Sequence, residues 1–531
     1  MRARVALAVV IAVLAASTSL GSSRPTSVSA QSGPEMLVPG LDVRPVVSGL
    51  VTPTSIAFIG ANDMLVLEKN TGRVVRVTAG ANAGAVLDLG VNFASERGLL
   101  GIALHPEFPE DPGVYLFWTC PGTPPPADNP FFPVEIECAD EPVLGADTDD
   151  ILGVPLLGNR VDRFEWDADT GTLSFDHNLV KLLAFQNDGA PVPPGQGDDA
   201  TGPHGQQPAR GNHDGGVIAF GPDGKLYVIF GDSGRRGQLQ NLACGPTATT
   251  CPGTVTPDDQ FGGPQPDDPH FTGVILRLND DGSTPGDNPF VAAGTAIGGE
   301  VGANVQKVFA YGIRNSFGMA FDPLSGQLWT QENGEDAFDE LNRVTAGQNS
   351  GWIQLAGPSS RVGDYKGIET TSLHHDDFSN LQQFRWGPEK IADSPAEALS
   401  RLFMLPGAQY SEPEFSWKHV LAPAAIGFME GRGIGPQYRG DLFVGFSVPD
   451  PLGGPLFRFN LTGNRRMIGV DDPRLEDRVA DNLTFHEMTE SESLLVGEGF
   501  GVVTDIETSP AGSLYVVSID QGTVYEVFRT R

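Results

Sequence analysis

Residues 216–228 read GVIAFGPDGKLYV, the pattern of a strand, a turn and a second strand. A small residue leads into a short apolar run, a turn containing Pro or Gly follows, and a second apolar or aromatic run completes the unit. Such a unit cannot bury its apolar face alone and must stack against other copies. Further copies occupy residues 55–67, 101–117, 318–329, 425–444 and 505–517. The recurrence predicts an all-β fold, a six-bladed β-propeller.

The composition agrees with many short strands joined by turns. The 531 residues include 67 Gly and 43 Pro, and only 19% are charged. We predict a single propeller over residues 43–531, with long loop insertions in blades two and three. These insertions lie near residues 120–153, 187–211 and 235–270. Because propellers are commonly closed by pairing the two chain ends in one blade, we expect residues 43–50 beside residues 524–528.

The first residues are typical of an export signal. Two arginines precede an apolar run over residues 5–16, and residues 28–30 (VSA) offer a small-residue cleavage site. We predict a signal peptide over residues 1–30, a disordered segment over residues 31–42, and no membrane span after signal cleavage. The expected location is therefore secreted or periplasmic.

The cysteines fall into two pairs that are close in sequence. In an exported protein, Cys120 with Cys138 and Cys244 with Cys251 are expected to form disulfides that staple loops, although four cysteines allow three pairings.

The charge limits the partners that the protein can have. The formal net charge is -33, which repels phosphate backbones and excludes nucleic acid as a partner. The same charge attracts cations, so we expect a divalent metal, Ca²⁺ above all.

Polar residues stand next to strands of the repeat at three places. These are His213 within residues 211–216, Arg314 within residues 311–318, and an acidic run over residues 332–340. A histidine is the natural general base near neutral pH, an arginine stabilises developing negative charge, and clustered carboxylates hold a hard cation. Each segment alone also fits a structural role: a turn histidine, a buried ion pair between blades, a solvated acidic face. Their recurrence at equivalent points of successive repeats favours one shared site.

Longer motifs connect these segments to a known family. They are residues 97–106 (RGLLGIALHP), 213–216 (HDGG) with 231–234 (GDSG), 276–279 (LRLN) with 287–290 (DNPF), 312–315 (GIRN), and 339–342 (DELN) with 349–352 (NSGW). With these motifs the chain resembles the soluble, pyrroloquinoline-quinone-dependent glucose and sorbosone dehydrogenases, which are six-bladed propellers. The resemblance implies a quinone- and Ca²⁺-dependent oxidoreductase that oxidises the anomeric hydroxyl of an aldose sugar to the lactone and passes electrons to an external acceptor.

The resemblance also implies roles for individual residues. Among catalytic residues, His213 takes the proton from the sugar, Arg314 polarises the quinone oxygen, and Asp339 lines the site. Cofactor contacts fall to Asn212, Asn315, Asn333 and Glu96, the last standing where the family usually has a glutamine. The metal ligands are main-chain oxygens of Gly334 and Glu335, and the bound Ca²⁺ acts as a Lewis acid on the quinone.

The sequence departs from the family pattern at other cofactor positions. Phe317 stands where a second glutamine is expected, residues 446–450 (FSVPD) lack an expected lysine, and residues 502–505 (VVTD) keep only the acid of an Arg-x-Arg-Asp motif. A quinone with three carboxylates needs fixed cations around it. Two alternatives therefore stay open: a catalytically silent propeller that binds extracellular carbohydrate, and a calcium-dependent, lactonase-like hydrolase.

Overall fold

The structure, a computed structural model, describes residues 33–93, 96–120, 158–183, 213–232, 241, 272–371, 391–448 and 453–530. The strands before residue 300 are β1 (Glu35–Met36), β2 (Leu41–Ser48), β3 (Pro53–Gly60), β4 (Asp63–Glu68), β5 (Arg73–Thr78), β6 (Ala81–Asp88), β7 (Leu99–Leu104), β8 (Gly113–Thr119), β9 (Gly158–Asp167), β10 (Thr172–Leu183), β11 (Ile218–Phe220), β12 (Leu226–Phe230) and β13 (Val274–Leu278). The later strands are β14 (Val308–Tyr311), β15 (Met319–Phe321), β16 (Leu328–Glu332), β17 (Ala337–Val344), β18 (Gln348–Asn349), β19 (Gln409–Tyr410), β20 (Phe415–His419), β21 (Pro423–Phe428), β22 (Leu442–Phe446), β23 (Leu456–Thr462), β24 (Met467–Gly469), β25 (Val479–Ala480), β26 (Leu495–Glu498), β27 (Val503–Thr508), β28 (Leu514–Ser518) and β29 (Thr523–Arg529).

Short helices connect or follow strands of the sheets. They are α1 (Val291–Ile297), α2 (Gly299–Lys307), α3 (Val362–Thr371) and α4 (Pro395–Arg401), with single 3-10 turns at Ser359–Arg361, Pro436–Tyr438, Pro473–Leu475 and Glu492–Leu494. The start of α4 follows from local chemistry. Ser394 accepts a hydrogen bond from the Glu397 N–H, and Pro395 occupies the first turn, where its missing N–H costs nothing.

Among the described residues the strands form six sheets. In order of neighbours the sheets are β3-β4-β5-β6, β10-β9-β8-β7, β11-β12-β13-β14-β18-β19, β15-β16-β17-β20-β25, β21-β22-β23-β26-β1 with β24 on β23, and β2-β29-β28-β27. Every predicted copy of the repeat is an antiparallel strand pair that begins a sheet. These pairs are β3/β4, β7/β8, β11/β12, β15/β16, β21/β22 and β27/β28.

The first strands of the sheets pack against one another in a closed order. Contacts run from β3 to β7, β11, β15, β21, β27 and back to β3. Where these strands meet, side chains must be small: a Cβ on Gly427 would lie 2.0 Å from the backbone oxygen of Ile506. Aromatic rings fill the space between sheets, as where Tyr115 meets Phe220 edge-on at a centroid distance of 5.0 Å. The predicted propeller arrangement and the mostly β composition are confirmed.

The two chain ends share a sheet, as predicted. Strand β2 pairs antiparallel with β29, from Leu41 opposite Arg529 to Ser48 opposite Thr523. This pairing gives the C-terminal strand a partner on its outer side and removes an exposed sheet edge.

The predicted disorder of residues 31–42 is wrong for part of that segment. Strand β1 pairs with β26, and the Leu37 N–H donates to the Val496 oxygen at 2.9 Å. Met36 and Val38 also pack on a core cluster that includes Leu41 and Phe500. Apolar contacts and backbone pairing together offset the entropy of ordering this short stretch.

A central cavity of about 190 Å³ lies between the first strands of the sheets. Its lining includes the apolar side chains of Phe317, Met319 and Ile426. The acidic side chains in its wall are Glu430, Asp505 and Glu507. None of the described residues predicted for catalysis or for cofactor or metal binding lines it, so the candidate site lies outside this cavity.

Several predictions fall outside the described residues: the signal peptide, the bodies of the three insertions, Asn212, and three of the cysteines. Cys120 is buried at the end of β8, and its pairing stays a prediction. In the part of the chain that the structure describes, no helix has the length and apolar character needed to cross a membrane.

Candidate active site

The predicted polar segments meet at one end of the ring. Glu96, His213 and Arg314 precede β7, β11 and β15, the first strands of three successive sheets. Asn333 follows β16, which runs antiparallel to β15, so it returns to the same end. The fold therefore brings together residues that are more than 200 positions apart, because the same strand direction is repeated in each sheet.

His213 is held in an uncommon backbone conformation. Its φ is 61°, in the left-handed region that non-glycine residues rarely adopt. Its N–H donates to Oε2 of Glu96 at 2.5 Å, and its side chain is buried. Such conformations persist where surrounding contacts fix them, and they cluster at functional sites.

Asp232 orients the His213 ring. Its Oδ1 lies 2.6 Å from Nδ1 of His213, and its Oδ2 accepts a hydrogen bond from the Trp352 indole at 2.9 Å. The carboxylate thereby places the imidazole proton on Nδ1 and leaves Nε2 as an acceptor.

Asp232 lies in the motif of residues 231–234, but the sequence does not predict that it pairs with His213. The signal that could have revealed it is an Asp at the end of a repeat strand, after a Gly. Gly231 is required by close packing, since a Cβ there would lie 2.4 Å from the His213 oxygen and 2.7 Å from the Arg314 oxygen.

Arg314 connects two of the predicted segments. Its backbone N–H donates to Oε1 of Glu332 at 2.6 Å, and its guanidinium donates to the main-chain oxygen of Asn333 at 3.0 Å. The guanidinium carbon lies 5.6 Å from the centre of the Trp352 ring, at cation–π distance. The same tryptophan thus contacts both Asp232 and Arg314.

The asparagines bridge neighbouring loops. Nδ2 of Asn315 donates to Oε2 of Glu96 at 3.2 Å, so that Glu96 joins Asn315 to His213. Nδ2 of Asn333 donates to the Pro423 oxygen at 2.9 Å.

Three buried polar atoms of the site have no hydrogen-bond partner among the described residues: Nε of Arg314, Oδ1 of Asn315 and Oδ1 of Asn333. Unsatisfied buried groups are costly, so their clustering indicates a polar ligand.

The side chain of Asp339 is fully buried. Its Oδ1 accepts from the Gly334 N–H at 2.9 Å, and its Oδ2 accepts from the N–H groups of Leu421 and Ala422 at 2.5 and 2.7 Å. Burial raises the pKa of Asp339 to about 6. These contacts indicate that it positions backbone, and its predicted catalytic role stays a prediction.

Two cations whose role the sequence did not predict lie near Glu96 and Asp214. Lys69 follows β4 and Arg97 follows Glu96; both are buried. Burial lowers the pKa of Lys69 to about 8, although the charges of Asp214 and Glu96 oppose that shift. Lys69 could have been noted as a charged residue directly after a repeat strand, at the end where the site loops converge.

Asp214, next to His213, is part of the same charge cluster. It is fully buried, and its Oδ1 accepts from Asn159 at 2.7 Å. Burial raises the pKa of Asp214 to about 6, while the charge of Arg97 and the bond from Asn159 limit the rise.

The predicted metal ligands, Gly334 and Glu335, lie in a loop (residues 333–337) that carries concentrated negative charge. Glu335 is half-buried, Asp336 is buried, and Glu369 from α3 is fully buried beside them. Burial, and then the charges of Glu335 and Asp336, raise the pKa of Glu369 well above its usual range. Among the residues described, no three acidic, His or Cys side chains are arranged to hold a metal ion. A cation here would therefore depend on main-chain oxygens, as predicted for Gly334 and Glu335.

The departure from the family pattern at residues 502–505 is visible as structurally engaged groups. Thr504 donates its hydroxyl to the Pro53 oxygen at 3.2 Å. Asp505, the remaining acid of that motif, accepts from the Ser55 hydroxyl and the Ile56 N–H at 2.9 and 2.8 Å. The cations of the described site are instead Lys69, Arg97 and Arg314.

Comparison with known proteins gives the family. Residues 50–129 and 204–389, together half of the chain, match the family model Glucose / Sorbosone dehydrogenase. Quinoprotein glucose dehydrogenase B of Acinetobacter calcoaceticus is 28% identical over 323 residues, covering 60% of this chain and 53% of the relative. Aldose sugar dehydrogenase YliI of Escherichia coli K12 is 25% identical over 310 residues, covering 58% of each. The chain thus spans little more than half the length of these curated relatives.

Solved structures share the fold. The soluble aldose sugar dehydrogenase of Escherichia coli, in its apo form, has a TM-score of 0.54 at 20% identity, covering 92% of this chain and all of that one (100%). The PQQ-bound aldose sugar dehydrogenase of Streptomyces coelicolor has a TM-score of 0.50 at 22% identity, covering 92% of this chain and 98% of that one. On the family match, the chain belongs to the glucose/sorbosone dehydrogenase family.

Proposed function

We propose that this protein is a quinone- and calcium-dependent oxidoreductase that oxidises the anomeric hydroxyl of an aldose sugar to the lactone. The observation that carries the proposal is the His213–Asp232 pair, which shares Trp352 with Arg314. Family membership and the names of the relatives support the substrate class.

His213 acts as the general base. With Nδ1 bonded to Asp232, its Nε2 is the atom that accepts the proton of the sugar hydroxyl. The oxidation removes that proton and a hydride from the anomeric carbon, two electrons in all. Bound pyrroloquinoline quinone would accept the hydride, and an external acceptor would take the electrons away. The buried carboxylate of Asp232 stabilises the imidazolium that forms on His213.

The residues present fit a polar, anionic cofactor on one side of the site. Arg314 offers a cation and a buried Nε without a hydrogen-bond partner among the described residues, while Asn315 and Asn333 each offer a buried amide oxygen in the same state. Lys69 and Arg97 add positive charge near Glu96. Arg314 would polarise a quinone oxygen, and the asparagines and Glu96 would orient the ring system.

Calcium fits the acidic loop by its chemistry. It is a hard cation that takes main-chain carbonyls and carboxylates, and residues 333–337 bring both. We propose that Gly334 and Glu335 supply main-chain oxygens, with Asp339 holding the Gly334 N–H.

The remaining assignments follow from the sequence. We propose that each of the six sheets is one blade, with insertions in blades two and three. We also propose a signal peptide over residues 1–30, a secreted or periplasmic protein, and loop-stapling disulfides within the insertions.

Calorimetric titration of the purified, calcium-saturated protein with pyrroloquinoline quinone tests the function. We expect saturable binding, followed by dye reduction that depends on an aldose sugar. Absence of quinone binding would contradict the proposal. The variant His213→Asn, which keeps the cofactor contacts of Arg314 and Asn315, should bind quinone and lose sugar-dependent dye reduction.

A second candidate is a silent propeller that binds extracellular carbohydrate. The engaged groups at Thr504 and Asp505 favour it, because residues 502–505 offer the quinone no cation. It predicts that calorimetric titration detects carbohydrate binding but no quinone binding. The affinity for carbohydrate should be unchanged in His213→Asn.

A further inference from the structure

Glu369 lies outside every motif of the sequence, yet its carboxylate reaches the candidate calcium loop, residues 333–337. Its Oε1 accepts hydrogen bonds from the backbone N–H groups of Asp336 and Ala337, each at 2.9 Å. The side chain is fully buried, and Oε2 has no hydrogen-bond partner among the described residues. Burying a carboxylate costs free energy unless its oxygens are paired or hydrogen-bonded.

Packing of α3 delivers this carboxylate. Val362 and Tyr365 of the helix belong to one apolar cluster with Ala337 and Phe338 at the end of the loop. The Tyr365 hydroxyl donates to the Ile353 oxygen at 3.0 Å, which ties the helix to the segment after β18. Glu369 follows one turn after Tyr365 on the same side of the helix.

The hydrogen bonds of Glu369 fix the direction of the carbonyls in the loop. In a trans peptide the N–H points opposite to the preceding carbonyl. Because the Asp336 N–H points at Glu369, the carbonyl of Glu335 points away from it. In the same way Asp339 holds the Gly334 N–H and turns the carbonyl of Asn333 away, where the Arg314 guanidinium meets it. Two buried carboxylates thus set the peptide planes on both sides of residues 334–335.

We propose that Glu369 is a positioning residue for calcium: it orients the Glu335 carbonyl toward the metal by holding the next two N–H groups. This inference rests on the proposed calcium site. Oε1 of Glu369 is not a metal ligand in this arrangement, because it accepts from two N–H groups and faces the N–H side of the loop.

Calorimetric titration of the full-length, metal-free protein with calcium chloride tests the proposal through three variants. Glu369→Ala removes the acceptor and should weaken calcium binding by about 10- to 100-fold, the usual effect of losing a partner that orients metal ligands. Glu369→Gln keeps a carbonyl oxygen for both N–H groups and should restore most of the affinity. Asp364→Asn, a half-exposed position on the same helix, should leave the affinity unchanged.

Other outcomes separate the possible failures. If Glu369→Gln and Glu369→Ala lose equal calcium affinity, the positioning role is wrong, and Glu369 acts through its charge or as a direct ligand. Unchanged affinity in a folded Glu369→Ala protein would overturn the proposal while leaving the calcium site intact. Absence of binding in the wild-type protein would remove the calcium site, and this inference with it. Independently of metal, amide hydrogen exchange at residues 336 and 337 should be faster in Glu369→Ala; unchanged exchange would contradict the role.

Discussion

Nδ1 of His213 lies 2.6 Å from Oδ1 of Asp232, and both side chains are buried. Asp232 also accepts from Trp352, and its N–H donates to the Arg314 oxygen at 2.8 Å. The histidine is therefore oriented by a carboxylate that is itself fixed at three points. This arrangement makes Nε2 the available acceptor for a proton.

Asp232→Asn should preserve the fold and lower the rate. The amide cannot stabilise the imidazolium, and it can reverse the tautomer of His213, so we expect kcat to fall about 10²–10⁴-fold. Sugar-dependent dye reduction by the quinone-loaded protein measures this. Asp169→Asn, at an exposed turn, is the control. A variant that keeps most of the wild-type rate would show that Asp232 does not support catalysis.

Two substitutions at His213 separate chemistry from backbone strain. Asn tolerates the left-handed region, so His213→Asn should abolish dye reduction with little change in thermal stability. His213→Val places a β-branched residue at the same φ and should cost about 1–2 kcal/mol more in the free energy of unfolding. Urea unfolding measures the difference; equal stability of the two variants would contradict the strain argument.

Arg314→Lys should weaken quinone binding although the charge is kept. Lysine lacks the planar guanidinium that reaches the Asn333 oxygen and covers Trp352. Loss of one charged hydrogen bond corresponds to about 1.5–3 kcal/mol, or roughly 10- to 100-fold in affinity. Calorimetric titration with the quinone measures this, and Arg76→Lys, in another sheet, is the control. Equal affinity in Arg314→Lys would place the quinone away from this residue.

Stability should fall as pH rises from about 4 to about 6. Burial raises the pKa of Asp214 and of Asp339 to about 6, so in this window the folded protein binds more protons than the unfolded chain. Their contribution is fully present below the unfolded pKa and is lost as pH rises through the folded pKa. Each carboxyl accounts for about 2–3 kcal/mol over the window.

Asp214→Asn tests whether Asp214 causes part of this fall in stability between pH 4 and pH 6. Its Oδ1 can still accept from Asn159, but the residue no longer titrates, so the decline in unfolding free energy between pH 4 and pH 6 should be shallower. Urea unfolding at several pH values measures it, with Asp169→Asn as the control. A slope identical to that of the wild-type protein would show that Asp214 is not a source of the pH dependence.

The sequence predicted most of the fold because the information is local and repeated. The run that ends at Phe220 and the run that begins at Leu226 are a strand, a turn and a strand in the structure, and the other copies behave alike. Closure of the ring through β2 and β29 was predicted for the same reason: an unpaired terminal strand would expose an edge. Order at Glu35 and Met36 could not be predicted, because it depends on the distant edge of β26.

For the candidate site, the segments that meet can be predicted from the repeat alone, since His213, Arg314 and Asn333 occupy equivalent ends of repeated strands. The partners of the site's side chains are visible only in the folded protein: Asp232 pairs with His213, Asp339 accepts from the Gly334 N–H, Glu369 accepts from the Asp336 N–H, and Lys69 lies near Asp214. The physical reason is that strand direction follows from local period and turns, whereas hydrogen-bond partners and burial are set by packing between loops that are far apart in the chain.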